Sequence, residues 1–164
     1  MLLQKFEPVW QHMINNLQEE LFPRAPEHYI ENLTPVFDRS CCTILAFHLK
    51  QADDLLKVHV LQSLTRPIYC VQIVDLNEPG AELGRARYYD GPEAVIQFAN
   101  QPIAEKLGVI LKTIDDNVRK FSGHQLIEPA ALKQITLADL ATQNKMFGKC
   151  TLYDCTFIDY LPVW

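Results

Sequence analysis

The sequence contains no run of basic residues, and its formal net charge at pH 7 is -5. Because proteins that bind nucleic acids through phosphate contacts carry clustered Lys and Arg, we expect no nucleic-acid partner. No apolar stretch reaches the roughly 18 residues that a spanning helix needs, so we expect no membrane span. Lys5 and Glu7 also interrupt the apolar segment that a signal peptide would require. These absences predict a cytoplasmic protein.

Motifs for metal binding, phosphate binding and nucleophilic catalysis are also absent. The five histidines include no HExxH pattern, and the chain has neither a glycine-rich phosphate loop nor a GxSxG motif. The number of cysteines is odd and none forms a CxxC pair, which argues against a disulfide framework and a zinc ribbon. We therefore expect no metal, and thiols that pack as small hydrophobic groups. The cysteines are Cys41, Cys42, Cys70, Cys150 and Cys155.

Length and composition indicate a folded domain. The chain has 164 residues, of which 48% are hydrophobic and 21% are charged. This size suits one domain with a sizeable core, and the composition excludes disorder as the main state. We therefore expect residues 1–164 to form a single domain.

One helix and three strands have the clearest patterns. Apolar residues recur at spacings of three and four across residues 5–21, which predicts an amphipathic helix. Alternation predicts a strand over residues 55–62. Residues 67–75 are β-branched and aromatic, residues 82–89 alternate, and the Asn, Pro and Gly between them favour a loop. These two runs therefore predict a pair of strands.

The remaining segments are assigned from caps, prolines and shorter patterns. Together with the clear elements they predict an α+β domain, with a single antiparallel β-sheet and helices packed on one face. The predicted helices cover residues 41–50, 102–108 and 136–142, with Thr136 as the cap of the last. The predicted strands cover residues 109–114 and 117–121, divided by a turn at Asp115 and Asp116, and residues 147–153 and 155–161.

Two arginines share one face of a predicted strand. By alternation, Arg85 and Arg87 point the same way. Guanidinium groups bind carboxylates through two parallel hydrogen bonds, so this pair suits a dicarboxylate ligand. The alternative is a solvated face with nearby acidic residues. Spacing along the chain leaves both interpretations open.

Several other polar residues fall on predicted apolar faces. Asp159 either pairs with a cation or acts as a general acid of raised pKa, or lies at the rim of the sheet. Gln72 either binds a ligand or satisfies a neighbouring strand. Cys42 and Thr43 either line a pocket or serve in capping and packing. His48 is isolated in the sequence, which favours a structural role.

The order of these segments resembles the chorismate lyase family from about Ser40 to Pro162. Residues 40–43 are similar to the family's Ser-x-Thr helix start, and residues 69–76 to its arginine-bearing strand. Residues 84–87 resemble the next strand of the family. The closing residues 157–162 resemble a segment in which a glutamate precedes a Phe-Leu-Pro tail.

The resemblance implies a chorismate-lyase-like fold, in which a sheet and its helices enclose a pocket. It implies release of pyruvate from chorismate to give 4-hydroxybenzoate, without metal or cofactor. Asp159 would supply the proton and Arg87, with Arg66 or Arg85, would hold the carboxylates. The chain departs from the family at Gln72, where an arginine is expected, and at Asp159, where a glutamate is expected. The substrate-binding residues would then be Gln72, Arg85, Arg66, Cys42 and Thr43.

Two other functions are compatible with the same sequence. The first is a non-catalytic domain of this fold that binds a small aromatic or cyclic carboxylate. The second is an interaction module whose helix over residues 5–21 docks on a partner protein. The sequence leaves the oligomeric state undetermined.

Overall fold

A computed structural model describes most of the chain, and six strands in it form one sheet. The first five strands follow each other in chain order as antiparallel neighbours, and the sixth lies parallel to the fourth. The described residues are 11–19, 29–33, 42–51, 54–77, 87–90, 97–101, 103–140 and 148–158. The strands are β1 (Tyr29–Asn32), β2 (Cys42–Gln51), β3 (Asp54–Ser63), β4 (Ile68–Asp75), β5 (Arg87–Asp90) and β6 (Gln125–Leu126).

Helical segments pack against this sheet. Helix α1 includes residues 11–19, helix α2 covers Ile103–Ser122 and helix α3 covers Pro129–Lys133. A π-helix covers Asp154–Ile158. No helix in the described ranges is long and apolar enough to cross a bilayer.

The first face of the sheet carries the larger core. Side chains directly opposite each other on paired strands share a face, so Val60 of β3 and Val71 of β4 point the same way. Helices α1 and α2 cover this face with apolar residues spaced three or four apart. The helix residues in this core are Met13, Leu17, Leu107, Ile110, Ile114 and Val118.

The second face carries a smaller core and is covered by other elements. Leu61 and Cys70 lie opposite each other on β3 and β4 and point away from the first face. Leu132 of α3, with Tyr153 and Phe157 of the C-terminal segment, packs against them. The expectation of helices on one face is therefore wrong. Strands β2 to β4 present apolar side chains on both faces, and each face must be covered.

Residues 42–51 form strand β2, and the helix predicted over residues 41–50 is wrong. Thr43 and Phe47 point to the first face, whereas Cys42 and Ala46 point to the second, and all four are buried. A strand buried on both faces reads as a nearly continuous apolar run, which periodicity cannot distinguish from a buried helix.

Helix α2 replaces three predicted elements. It continues through Gly108, where a short helix was expected to end, and it includes the two strands predicted over residues 109–114 and 117–121. Asp115 was interpreted as part of a turn, but it accepts a hydrogen bond from Arg119 one helical turn later, at 2.9 Å. Such pairs support a helix.

Strands were predicted over residues 147–153 and 155–161, but residues 152–158 are helical and Thr151 forms only a single bridge. Residues 147 and 159–161 lie outside the described residues. Thr151 and Asp154 exchange side-chain and backbone hydrogen bonds that satisfy the first amides of this helical segment. The predicted cap Thr136 instead forms an isolated antiparallel bridge with Thr151. The predicted helix 5–21 is confirmed at the described residues 11–19, and the predicted strand 55–62 is confirmed throughout. The predicted strand 67–75 is confirmed at residues 68–75, and the predicted strand 82–89 at residues 87–89.

Candidate functional site

Polar and titratable side chains cross the second face in two adjacent rows. Strand pairing places three of them opposite one another on β1, β2 and β3, and we call them the aromatic row. A second row runs across five strands. The aromatic row is Tyr29, His48 and Lys57. The polar residues of the second row are Glu31, His59, Gln72 and Asp90, and Ala46 lies between Glu31 and His59.

His48 connects the two rows. Its Nε2 lies 2.7 Å from Oε2 of Glu31, and its ring stacks on Tyr29 with ring centroids 4.0 Å apart. Burial lowers the pKa of His48 and outweighs the hydrogen bond to Glu31, which raises it. The neutral ring therefore donates from Nε2 to the carboxylate and keeps Nδ1 as an acceptor.

His59 is also neutral at pH 7. Burial lowers its pKa to about 4, and the positive charge of nearby Lys57 acts in the same direction. Lys57 is partly buried, and no acidic side chain in the described ranges forms an ion pair with it. The charge of this ammonium is therefore available to an anionic group.

Gln72 lies at the covered end of the second row. Its Nε2 donates to the hydroxyl of Tyr153 at 2.9 Å, so this glutamine bonds to the C-terminal segment. Burial raises the pKa of the Cys70 thiol to about 12, so this cysteine is protonated and a poor nucleophile at neutral pH. Lys133 of α3 donates to Asp90 at 2.9 Å. This end of the face is closed by direct contacts.

Two of the predicted ligand-binding residues lie on opposite faces. Cys42 is buried on the second face, with its Sγ 2.8 Å from the carbonyl oxygen of Phe157. Thr43 is buried on the first face, opposite Gln62 of β3. Among the described residues, neither Thr43 Oγ1 nor Gln62 Oε1 has a hydrogen-bond partner. Cys42 and Thr43 therefore do not line one common pocket.

The predicted arginines are separated along the sheet. Arg66 is exposed in the turn before β4, whereas the backbone of Arg87 pairs with Asp75 at the far end of β4. At about 3.3 Å per residue, the two ends of the eight-residue strand β4 are roughly 23 Å apart. Arg66 and the backbone of Arg87 therefore lie near opposite ends of β4. Arg85 and Asp159 lie outside the described residues.

The described residues contain no group of three or more His, Cys, Asp or Glu side chains arranged to hold a metal ion. The functional candidates that the sequence patterns did not identify are Tyr29, Glu31, His48, Lys57 and His59. One signal was present in the sequence. If residues 42–51 alternate as a strand, His48 follows Cys42, Ile44 and Ala46 on one face. A strand assignment would have predicted His48 beside the neighbouring strands.

No protein-family model matches the chain. No significant match was found among curated proteins or among solved structures. Functional inference therefore depends on the geometry of the second face.

Proposed function

We propose that the protein binds a small aromatic carboxylate at the aromatic row, Tyr29, His48 and Lys57. The observation that carries this proposal is the stacked Tyr29–His48 pair with an ammonium group opposite it on the next strand. Tyr29 is 49% exposed, so its ring offers apolar surface to a ligand. Stacking on a flat aromatic ring favours a flat partner.

The charges around the aromatic row favour a ligand that carries a carboxylate. Glu31 is engaged by His48, and both histidines are neutral at pH 7, so Lys57 supplies the positive charge. Neighbouring strands lie about 5 Å apart, which brings Lys57 within reach of a carboxylate whose ring contacts the aromatic pair. A hydrogen bond between two charged groups is stronger than one between neutral groups.

Release of pyruvate from chorismate, which the resemblance to chorismate lyase implies, stays a prediction. Its support is the α+β architecture with a mostly antiparallel sheet. Gln72 takes the place of the expected arginine and bonds to Tyr153. Binding without turnover is therefore the function that the described geometry favours. A docking role for α1 has less support, because Met13 and Leu17 are buried in the core.

Thermal unfolding with and without 4-hydroxybenzoate tests the binding proposal. A ligand present at 100 times its Kd stabilises the fold by about 2.7 kcal/mol, which raises the melting temperature. We expect Lys57→Gln and Tyr29→Ala each to weaken binding about tenfold or more. Lys112→Gln, on an exposed position of α2, is the matched control and should bind normally.

Two outcomes would count against the proposal. The first is the absence of a melting shift with 4-hydroxybenzoate, benzoate and chorismate alike. The second is equal binding by wild type and by both substituted proteins. Incubation with chorismate and an assay for pyruvate separately tests the lyase prediction, since pyruvate forms only if the ether bond breaks.

A further inference from the structure

Two cysteines of the C-terminal segment are in direct contact. The Sγ atoms of Cys150 and Cys155 lie 2.8 Å apart, and neither residue is in a disulfide. This separation is shorter than a van der Waals contact between two sulfur atoms. Cys150 is fully buried, whereas Cys155 is partly exposed. Cys155 is therefore the more accessible residue of the pair.

The backbone around this pair is held by hydrogen bonds to residues 135–137. The amide of Leu137 donates to the carbonyl of Cys150 at 2.8 Å, and the amide of Leu152 donates to the carbonyl of Ile135 at 2.9 Å. Between the cysteines, the hydroxyl of Thr151 donates to the carboxylate of Asp154 at 2.8 Å. The two thiols are therefore close together in a segment that several hydrogen bonds fix.

We propose that Cys150 and Cys155 form an intramolecular disulfide when the protein meets a small disulfide oxidant such as oxidised glutathione. Cys155 loses its proton, attacks one sulfur of the oxidant and releases one glutathione thiolate, giving a mixed disulfide. Cys150 then loses its proton, attacks Sγ of Cys155 and releases the second thiolate. The protein loses two electrons and two protons, and the oxidant becomes two molecules of glutathione.

The other described cysteines are poor candidates for this reaction. Cys42 and Cys70 are buried beneath the second-face core, at 4% and 0% exposure. Burial also keeps the Cys70 thiol protonated. Thiol–disulfide exchange requires an accessible thiolate, so reaction begins at Cys155 rather than on the sheet.

The disulfide would act on the second face through Tyr153. This residue lies between the two cysteines and bonds to Gln72 of β4. A covalent link around it restricts the unfolded chain and leaves the native contacts in place. Because the closed loop is short, we expect the melting temperature to rise by about 5 °C on oxidation.

Peptide mapping of the full-length protein tests the proposal. The folded protein is equilibrated with oxidised glutathione, its remaining thiols are alkylated, and it is digested with trypsin. Cys150 and Cys155 share the peptide 150–164, while the other cysteines fall in peptides 40–50 and 58–85. We expect peptide 150–164 to be lighter by two hydrogens and to carry no alkyl group, and the other two peptides to be alkylated.

Substitutions and denaturant provide the controls. Cys150→Ser should stop at the mixed disulfide on Cys155, and Cys155→Ser should slow the reaction about tenfold or more. In denaturant, the disulfide should no longer form preferentially within peptide 150–164. Two alkyl groups on peptide 150–164 from the folded wild-type protein, or its linkage to peptide 40–50 or 58–85, would overturn the proposal. Mapping of the wild-type protein decides the matter even if a variant fails to fold.

Discussion

Among the described residues, the first face of the sheet lies under the 20-residue helix α2 and carries fourteen buried core residues. The second face lies under two five-residue helices and carries a cluster of six. The second face also holds two histidines of lowered pKa and the Gln72–Tyr153 hydrogen bond. One face thus provides most of the apolar burial, and the other presents polar chemistry on a rigid support. Such a division is expected where a site requires positioned polar groups.

The largest expected difference between the faces is in core stability. Phe47 and Phe157 are both almost fully buried, on the first and second faces respectively. We expect Phe47→Ala to lower the free energy of unfolding by about 4 kcal/mol and Phe157→Ala by about 3 kcal/mol. The expected cost is lower for Phe157→Ala because, in the smaller cluster, fewer buried side chains surround the cavity that the substitution leaves. Urea unfolding measures both values.

Val109→Ala is the control for these substitutions, because Val109 is 59% exposed on α2. It should change stability by less than about 0.5 kcal/mol. If Phe157→Ala proved as costly as Phe47→Ala or more so, the second face would be packed at least as tightly as the first, and the energetic contrast between the faces would be lost.

Lowering the pH should reduce the free energy of unfolding, because His59 on the second face resists protonation in the folded protein. Its pKa in the folded protein is about 4, below the 6.5 of an unperturbed histidine, so the unfolded chain binds a proton first as the pH falls. The contribution of neutral His59 to the free energy of unfolding is fully present above pH 6.5 and is lost progressively between pH 6.5 and 4. The expected loss is about 3 kcal/mol. Urea unfolding at several pH values measures it.

His59→Gln should remove much of the pH dependence in this window. His12→Gln changes an exposed histidine on α1 and tests whether any histidine substitution has the same effect. If the wild type and His59→Gln lost stability in parallel as the pH fell, the assignment of this dependence to His59 would be wrong.

The smallest expected effect concerns the hydroxyl of Tyr153. Tyr153→Phe removes the acceptor for Gln72 Nε2 and should cost about 1 kcal/mol. Tyr89→Phe is the matched control on the first face, where the Tyr89 ring contacts Phe98 edge to face and no described hydrogen bond involves its hydroxyl. If urea unfolding showed that both substitutions lower the free energy of unfolding equally, the Gln72–Tyr153 hydrogen bond would not be a source of stability.

Sequence patterns predicted the strands that alternate and the helix that carries an apolar stripe. Strands β3 and β4 and helix α1 follow from spacing, since one buried face imposes a period of two on a strand and of three to four on a helix. The residues of helix α2 were predicted as separate elements, because the adjacent Asp115 and Asp116 resemble a turn between two strands. Within the helix, Asp115 bonds to Arg119 and to the hydroxyl of Tyr69.

Much less of the candidate site followed from the sequence. Gln72 lies on the same face as Cys70, as the clear alternation of their strand predicts. His48 was interpreted as isolated, because its segment was assigned to a helix and its partners are distant in sequence. Glu31 lies 17 residues before it, and only the pairing of β1 with β2 brings their side chains together.

By itself, the sequence determined that this chain folds as an α+β domain with an apolar core, because composition and local periodicity are properties of neighbouring residues. Only the tertiary structure decided which face each strand presents and which residues meet there. Cys150 and Cys155, five residues apart, are brought together by the helical segment that begins between them, whereas Tyr29, His48 and Lys57 come from three different strands. Strand register and chain packing are long-range properties, and a one-residue shift in pairing would separate these side chains.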